Sequence, residues 1–205
     1  MSEHEPHLQA DQPENGEGQD SPEHNQPDPP RIWVGCLADY NNGQLTGEWL
    51  DAAVSDDELL DRARRVLQRS ETPDAEEWAI FDYEGFGDWK VGEYEQLDVV
   101  AAVARGIAEN GPAFGVWAEL HDAEADMLEG FADAYLGEYD SAAAWAESMT
   151  EDLDIETTLD DLLLTSVRSY VSIDYAAMGR DAWLGGDIYI ADKPGGGVWI
   201  FDARP

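Results

Sequence analysis

Glu119, Asp122, Asp126, Glu129 and Asp133 recur every three or four residues along "AELHDAEADMLEGFADAYLGEYD" (118–140), a stretch with no Lys or Arg. Carboxylates in such a row have three chemical uses: acid–base catalysis in pairs, ligation of a hard cation, and presentation of negative charge to a basic partner. Catalytic pairing is uninformative here, because the 38 acids from residue 31 onward make any choice of pair arbitrary. Cation ligation would fall on "DLDIETTLDD" (152–161). That stretch lacks the glycine a calcium loop needs at its sixth position and the bidentate Glu at its twelfth, where Leu163 stands. Charge presentation is the use that remains.

Other reactive groups are sparse. A hydrolase built on Ser or Cys needs a base, and beyond residue 30 the only His is His121, expected to be a surface or capping residue at a charged helix start. Cys36 is the single cysteine, which excludes an intrachain disulfide framework, and its apolar setting "RIWVGCLADY" predicts a buried thiol. "GFG" (85–87) and "GGG" (195–197) lack the context of a phosphate loop and read as turns. No catalytic residue, cofactor site or metal site is expected, and the chain does not read as an enzyme.

The charge balance is the unusual property. The sequence holds 46 acidic residues against 11 basic, a formal −35. Such a chain repels nucleic acid and anionic membranes, so direct nucleic-acid binding is not expected and a macromolecular partner should present a basic surface. No run of 18 apolar residues occurs, and the start lacks the basic and apolar stretches of a secretory signal, so a soluble cytoplasmic protein is expected. Between Gly106 and Val167 there are 16 acids and no base. On one continuous helix the five acids of the row would share an arc of about 80°, opposite Leu120, Ala123, Met127, Leu128, Phe131 and Tyr135. A solvated helix face would intersperse bases for i, i+4 support. Only two Lys (Lys90, Lys193) stand against nine Arg, so compositional bias from salt adaptation is a competing explanation. Residues 31–205 carry 38 acids and 11 bases, a net −27. A dimer would then carry about −54, the charge of about 90 Å of duplex DNA, or about 27 base pairs.

The elements that must position these charges divide the chain. Residues 1–30 hold six of the ten Pro and eight acids with no base, and read as a disordered acidic tail. Residues 31–92 form an N-terminal α+β unit: strands over "RIWVGCLADY" and "QLTGEWLDA" about the turn "NNG", a helix capped by Ser55 and Glu58, and a strand over 76–86. Four Arg (Arg62, Arg64, Arg65, Arg69) suit that helix as intrahelical ion pairs. Residues 93–137 form a central helical unit, with "YEQLDVVAAVARGIAEN" stopping at Asn110-Gly111-Pro112, then "AFGVWAEL" and "HDAEADMLEGFADAYLG". Residues 138–205 form a C-terminal α+β unit: helices capped by Ser141 and by Thr158 with Asp161, a third helix closing on Gly185-Gly186, and a hairpin about "KPGGG".

"RIWVGCLADYNNGQLTGEWLDA", "EEWAIFDYEGF", "LGEYDSAAAWAE", "IDYAAMGRDAWLGGDIYI" and "VWIFDA" follow one another in an order that resembles the ArdA-type antirestriction proteins over residues 31–205. The resemblance implies an elongated α+β homodimer of three small units. It implies a protein that imitates bent B-form DNA, occupies the DNA-binding site of type I restriction–modification enzymes and so protects incoming mobile DNA. The Pro-rich tail departs from the family pattern. On this reading inhibition is shared among many carboxylates: the row Glu119, Asp122, Asp126, Glu129 and Asp133, with Glu138, Asp140, Glu147, Glu151, Asp152, Asp154 and Glu156. The alternative is an acidic adaptor that binds a basic, nucleic-acid-binding protein without any part in restriction.

Overall fold

At Arg31 the sequence changes from polar and Pro-rich to alternating apolar residues, and the first strand begins there. The computed structural model describes residues 29–151 and 153–204; the expected tail lies outside the described residues except for Pro29 and Pro30. In β1 (Arg31–Cys36), Ile32 and Val34 are fully buried. Trp33 takes the other face, edge-on to Trp49 of β2 (Gly47–Asp51) with ring centroids 6.0 Å apart. The strand expected to reach Tyr40 stops at Cys36, because Leu37–Asn41 winds into a single helical turn, α1, that draws Asp39 inward. Asp39 Oδ1 accepts hydrogen bonds from Ser70 Oγ (2.7 Å) and Thr72 Oγ1 (2.5 Å). Gly43, at φ 79°, then returns the chain to β2.

β3 (Trp78–Glu84) pairs with the other edge of β1, giving an antiparallel sheet in the order β2-β1-β3. α2 (Asp56–Leu67) covers it with Leu59, Ala63 and Val66. Ser55 Oγ accepts from the Glu58 N–H (3.3 Å), which is half of the expected capping box. The Glu58 carboxylate turns instead to Arg62 (2.6 Å). α3 (Leu97–Asn110) stops at Gly111 (φ 81°), where Asn-Gly-Pro predicts it. α4 (Ala113–Leu120) packs against it so closely that a Cβ at Gly106 would stand 2.1 Å from the Phe114 ring.

α4 spans "AFGVWAEL" as expected, but the helix expected over "HDAEADMLEGFADAYLG" (121–137) is broken twice. Asp122 and Ala123 adopt left-handed backbone (φ 50° and 52°) before α5 (Ala125–Glu129), and Gly130 separates α5 from α6 (Phe131–Ala134). A non-glycine residue in that conformation costs on the order of 1 kcal/mol or more. The turn offsets it by directing Ala123, Leu128 and Phe131 into the same core as Ile32 and Val34. Tyr135–Tyr139 is then a strand, β4, which the sequence reading did not anticipate.

α7 (Ala142–Glu151) begins where expected, with Ser141 Oγ accepting from the Ala144 N–H (3.2 Å). α8 (Ile155–Leu162) begins ahead of Thr158, which was expected to cap it; that residue sits inside the helix and donates its hydroxyl to the Asp154 carbonyl (3.1 Å). α9 (Thr165–Arg168) is one turn, and α10 (Tyr175–Leu184) is capped by Asp174 accepting from the Ala177 N–H (2.8 Å). β5 (Ile188–Asp192) and β6 (Val198–Asp202) are the expected hairpin, and β4 completes an antiparallel sheet in the order β4-β6-β5. Alternation along β6 sends Trp199 and Phe201 into the large core, where Phe201 stacks on Trp117 at 5.5 Å. Ile200 faces a smaller core with Trp145, Ala146 and Ile188. Among the described residues the protein is α+β, with ten helices and two three-stranded antiparallel sheets. No helix among them is long and apolar enough to cross a membrane.

Candidate functional site

Eleven of the twelve expected acids fall among the described residues, and every one of them is exposed; Asp152 lies outside the described residues. They do not share one helix. Glu119 is in the last turn of α4, Asp122 in the left-handed turn, Asp126 and Glu129 on α5, and Asp133 on α6. Glu138 projects from β4, Asp140 from the loop before α7, Glu147 and Glu151 from α7, and Glu156 from the first turn of α8. Asp154 precedes α8 in left-handed conformation (φ 46°). The single-helix arc is therefore replaced by a chain of short elements. Each turns its apolar residues inward (Ala118, Ala123, Leu128, Phe131, Ala134), which leaves its acids outward.

The row is also less bare than its own sequence indicates. Lys90 Nζ lies 3.9 Å from Glu119, and Glu119 Oε2 accepts the Lys90 backbone N–H (3.1 Å). Lys193 pairs with Glu138, and Arg168 with Glu156. Lys90 and Lys193 arrive from distant elements through the fold, and Arg168 from the short helix that follows α8. The other eight acids (Asp122, Asp126, Glu129, Asp133, Asp140, Glu147, Glu151, Asp154) have no base within 4.0 Å among the described residues.

The same imbalance holds more widely. The described residues contain 37 acids, which is the 38 from residue 31 onward less Asp152. Eleven of the 37 are in ion pairs, leaving 26 without one among the described residues. Among the described residues ten of the 11 bases are already engaged, Arg65 being the exception. Of the four Arg expected to pair within their helix, Arg62 and Arg64 do so, with Glu58 and Asp61. Arg69 lies beyond the end of α2 and reaches across to Glu48 of β2 (2.9 Å).

Among the described residues Asp39 is the one acid that is fully buried, and hydrogen bonds from Thr46, Thr72 and Ser70 hold its carboxyl below the ordinary value. It clasps the β1–β2 connection to the segment after α2 and stands apart from the exposed set. His121 ends α4 instead of starting a helix. Half-buried, with its ring 4.1 Å from that of Trp117, it is held below its usual pKa by burial, against the pull of Glu124 and Asp122. Its Nε2 is buried and has no hydrogen-bond partner among the described residues, and the Cys36 thiol is buried and free. The thiol donates to the buried Asp39 carboxylate. No cluster of three or more His, Cys, Asp or Glu among the described residues is arranged to hold a metal ion.

What this surface can do chemically is accept. Its carboxylates would take charge-assisted hydrogen bonds from a partner's Lys and Arg over a broad front. A family model described as "Antirestriction protein (ArdA)" matches residues 32–194. No curated protein matches the chain.

Proposed function

From the premise that this chain belongs to the ArdA antirestriction protein family, we propose that it inhibits type I restriction–modification enzymes by standing in for DNA. Its carboxylates take the places of phosphates in the enzyme's DNA-binding channel, and incoming mobile DNA escapes cleavage as a result. The observation that carries this reading is the surplus of bare acid: 25 carboxylates, buried Asp39 set aside, without an ion-pair partner among the described residues, with ten of 11 bases already engaged internally. A phosphate-binding channel offers the cations this surface lacks, and charge-driven association of that kind is fast and salt-sensitive. The surface assigned to this role comprises Glu119, Asp122, Asp126, Glu129, Asp133, Glu138, Asp140, Glu147, Glu151, Asp152, Asp154 and Glu156. No catalytic step or cofactor enters the mechanism, and the protein works in the cytoplasm without binding nucleic acid itself.

The three units, 31–92, 93–137 and 138–205, would follow one another along the imitated duplex, and two copies would lengthen it. Self-association has an apolar surface to use. A cleft of about 670 Å³ is lined by Leu136, Tyr139, Trp145, Met149, Met178 and Ile188. Its charged residues include Asp187 and Arg204, which pair with each other at 2.6 Å.

The test is displacement. Purified protein is titrated into a type I restriction–modification enzyme bound to a labelled duplex. Release of the duplex at near-stoichiometric protein supports the proposal. No release from any of several such enzymes contradicts it and favours the acidic adaptor, which would bind a basic protein and leave restriction untouched.

A further inference from the structure

The segment from Leu153 to Ile173 supplies no buried apolar residue to either core. α8 is amphipathic, with Ile155, Leu159 and Leu162 within an arc of about 60°; none of its residues is fully buried, Ile155 and Leu159 being half-buried and Leu162 exposed. Leu162 is 76% exposed, Leu164 77%, Tyr170 88% and Val167 45%. These residues follow one another through linked turns, the Val167 N–H bonding to the Leu164 carbonyl (2.8 Å) and the Tyr170 N–H to that of Val167 (2.9 Å).

Polar contacts hold this segment in shape. Arg168 of α9 donates to Asp160 (2.6 Å), to Glu156, and to the Val171 carbonyl (2.8 Å), fastening α9 to α8. An apolar surface that is held in shape by an ion-pair network, and that joins neither core, has the character of a binding face.

We infer that the exposed leucines and tyrosine of α8–α9 dock an apolar-faced, basic helix of the protein's partner. Charge selects this occupant over a second copy of the chain. Asp154, Glu156, Asp160 and Asp161 lie in the segment, and Arg168, its one base, is already committed to Glu156 and Asp160. A second copy would set acid against acid. A helix with Leu on one face and Lys or Arg beside it satisfies both the apolar residues and the acids of the segment. The inference rests on the proposed function only in locating that helix on the target enzyme. Duplex DNA offers no counterpart to these side chains, so the contact would let the protein distinguish its target from other DNA-binding proteins.

The probe is a synthetic helical peptide with a Leu face and a Lys border, compared with a peptide of the same charge carrying Ser in place of Leu. Both are titrated onto the full chain and onto the Leu162→Ser/Leu164→Ser variant. These side chains are largely exposed, so the variant should melt as the parent does. The Leu peptide should bind the parent at least about tenfold more tightly than the Ser peptide, and the variant should lose that advantage. Equal binding of the two peptides, or an undiminished advantage in the variant, would overturn the inference. So would dissociation of a dimer by the variant in sedimentation, which would give the face to a second copy. Duplex displacement from the enzyme reads the antirestriction proposal separately, so the two can fail independently.

Discussion

Neutralising acids that the fold leaves bare should weaken inhibition far more than neutralising the same number that it has already paired. One variant carries Asp126→Asn, Glu129→Gln and Asp133→Asn, on α5 and α6, where no base lies within 4.0 Å among the described residues. The other carries Glu119→Gln, Glu138→Gln and Glu156→Gln, the partners of Lys90, Lys193 and Arg168. Both move residues 31–205 from a net −27 to −24, so any effect of total charge is common to the two. A bare acid lost from a phosphate-like position forfeits a contact of about 0.5 to 1 kcal/mol, so three should weaken displacement of duplex by about 10- to 100-fold. Each phosphate-like contact also adds about 0.9 to the slope of log affinity against log salt. The bare triple should therefore flatten the loss between about 50 and about 200 mM salt by about 1.6 log units. A paired acid must surrender its own partner before it can serve an enzyme cation, so the second triple should change displacement by less than about threefold. The assay is displacement of a labelled duplex at the two salt concentrations, with circular dichroism to confirm folding. Equal losses in both variants would refute the reasoning and leave bulk charge as the whole effect.

Three further outcomes follow from the fold. Gly179→Ala places a Cβ 2.5 Å from the Ala142 carbonyl oxygen where α10 meets α7; it should cost about 1–3 kcal/mol, read as a lowered melting temperature. Ser55→Ala removes the cap of α2 and should cost about 1 kcal/mol in denaturant unfolding. Burial holds His121 below its ordinary 6.5, so the unfolded chain takes up the proton first. Its contribution to stability is then intact above about pH 6.5 and is lost as pH falls from there through the folded pKa. His121→Gln should accordingly lose less melting temperature than the parent between about pH 7 and about pH 5.5.

What was legible in the sequence was local. Ser55 ahead of Glu58, Gly111 after α3, Ser141 before α7 and the glycines between β5 and β6 are each set by backbone chemistry within a few residues. The exposure of the acidic row was legible too, because carboxylates so close together cannot share a core. The break within it was not. Asp122 and Ala123 take a conformation that favours glycine, and the three-and-four spacing of acids continues unchanged across the turn. β4 was hidden because the five residues of Tyr135–Tyr139 become a strand only by pairing with β6 near the end of the chain. The ion pairs of Glu119, Glu138 and Glu156 were out of reach for the same reason. Lys90 and Lys193 reach Glu119 and Glu138 from far along the chain, Arg168 reaches Glu156 from the short helix after α8, and only the folded chain shows which carboxylates are left free.

The central claim is that this protein and DNA compete for one place on the enzyme. The direct measurement is the affinity of labelled protein for a type I restriction–modification enzyme at rising concentrations of unlabelled duplex. Mimicry predicts that the apparent Kd rises in proportion to duplex without limit, because the two cannot be bound together. A Kd that reaches a plateau, with protein and duplex held on the same enzyme, would contradict it.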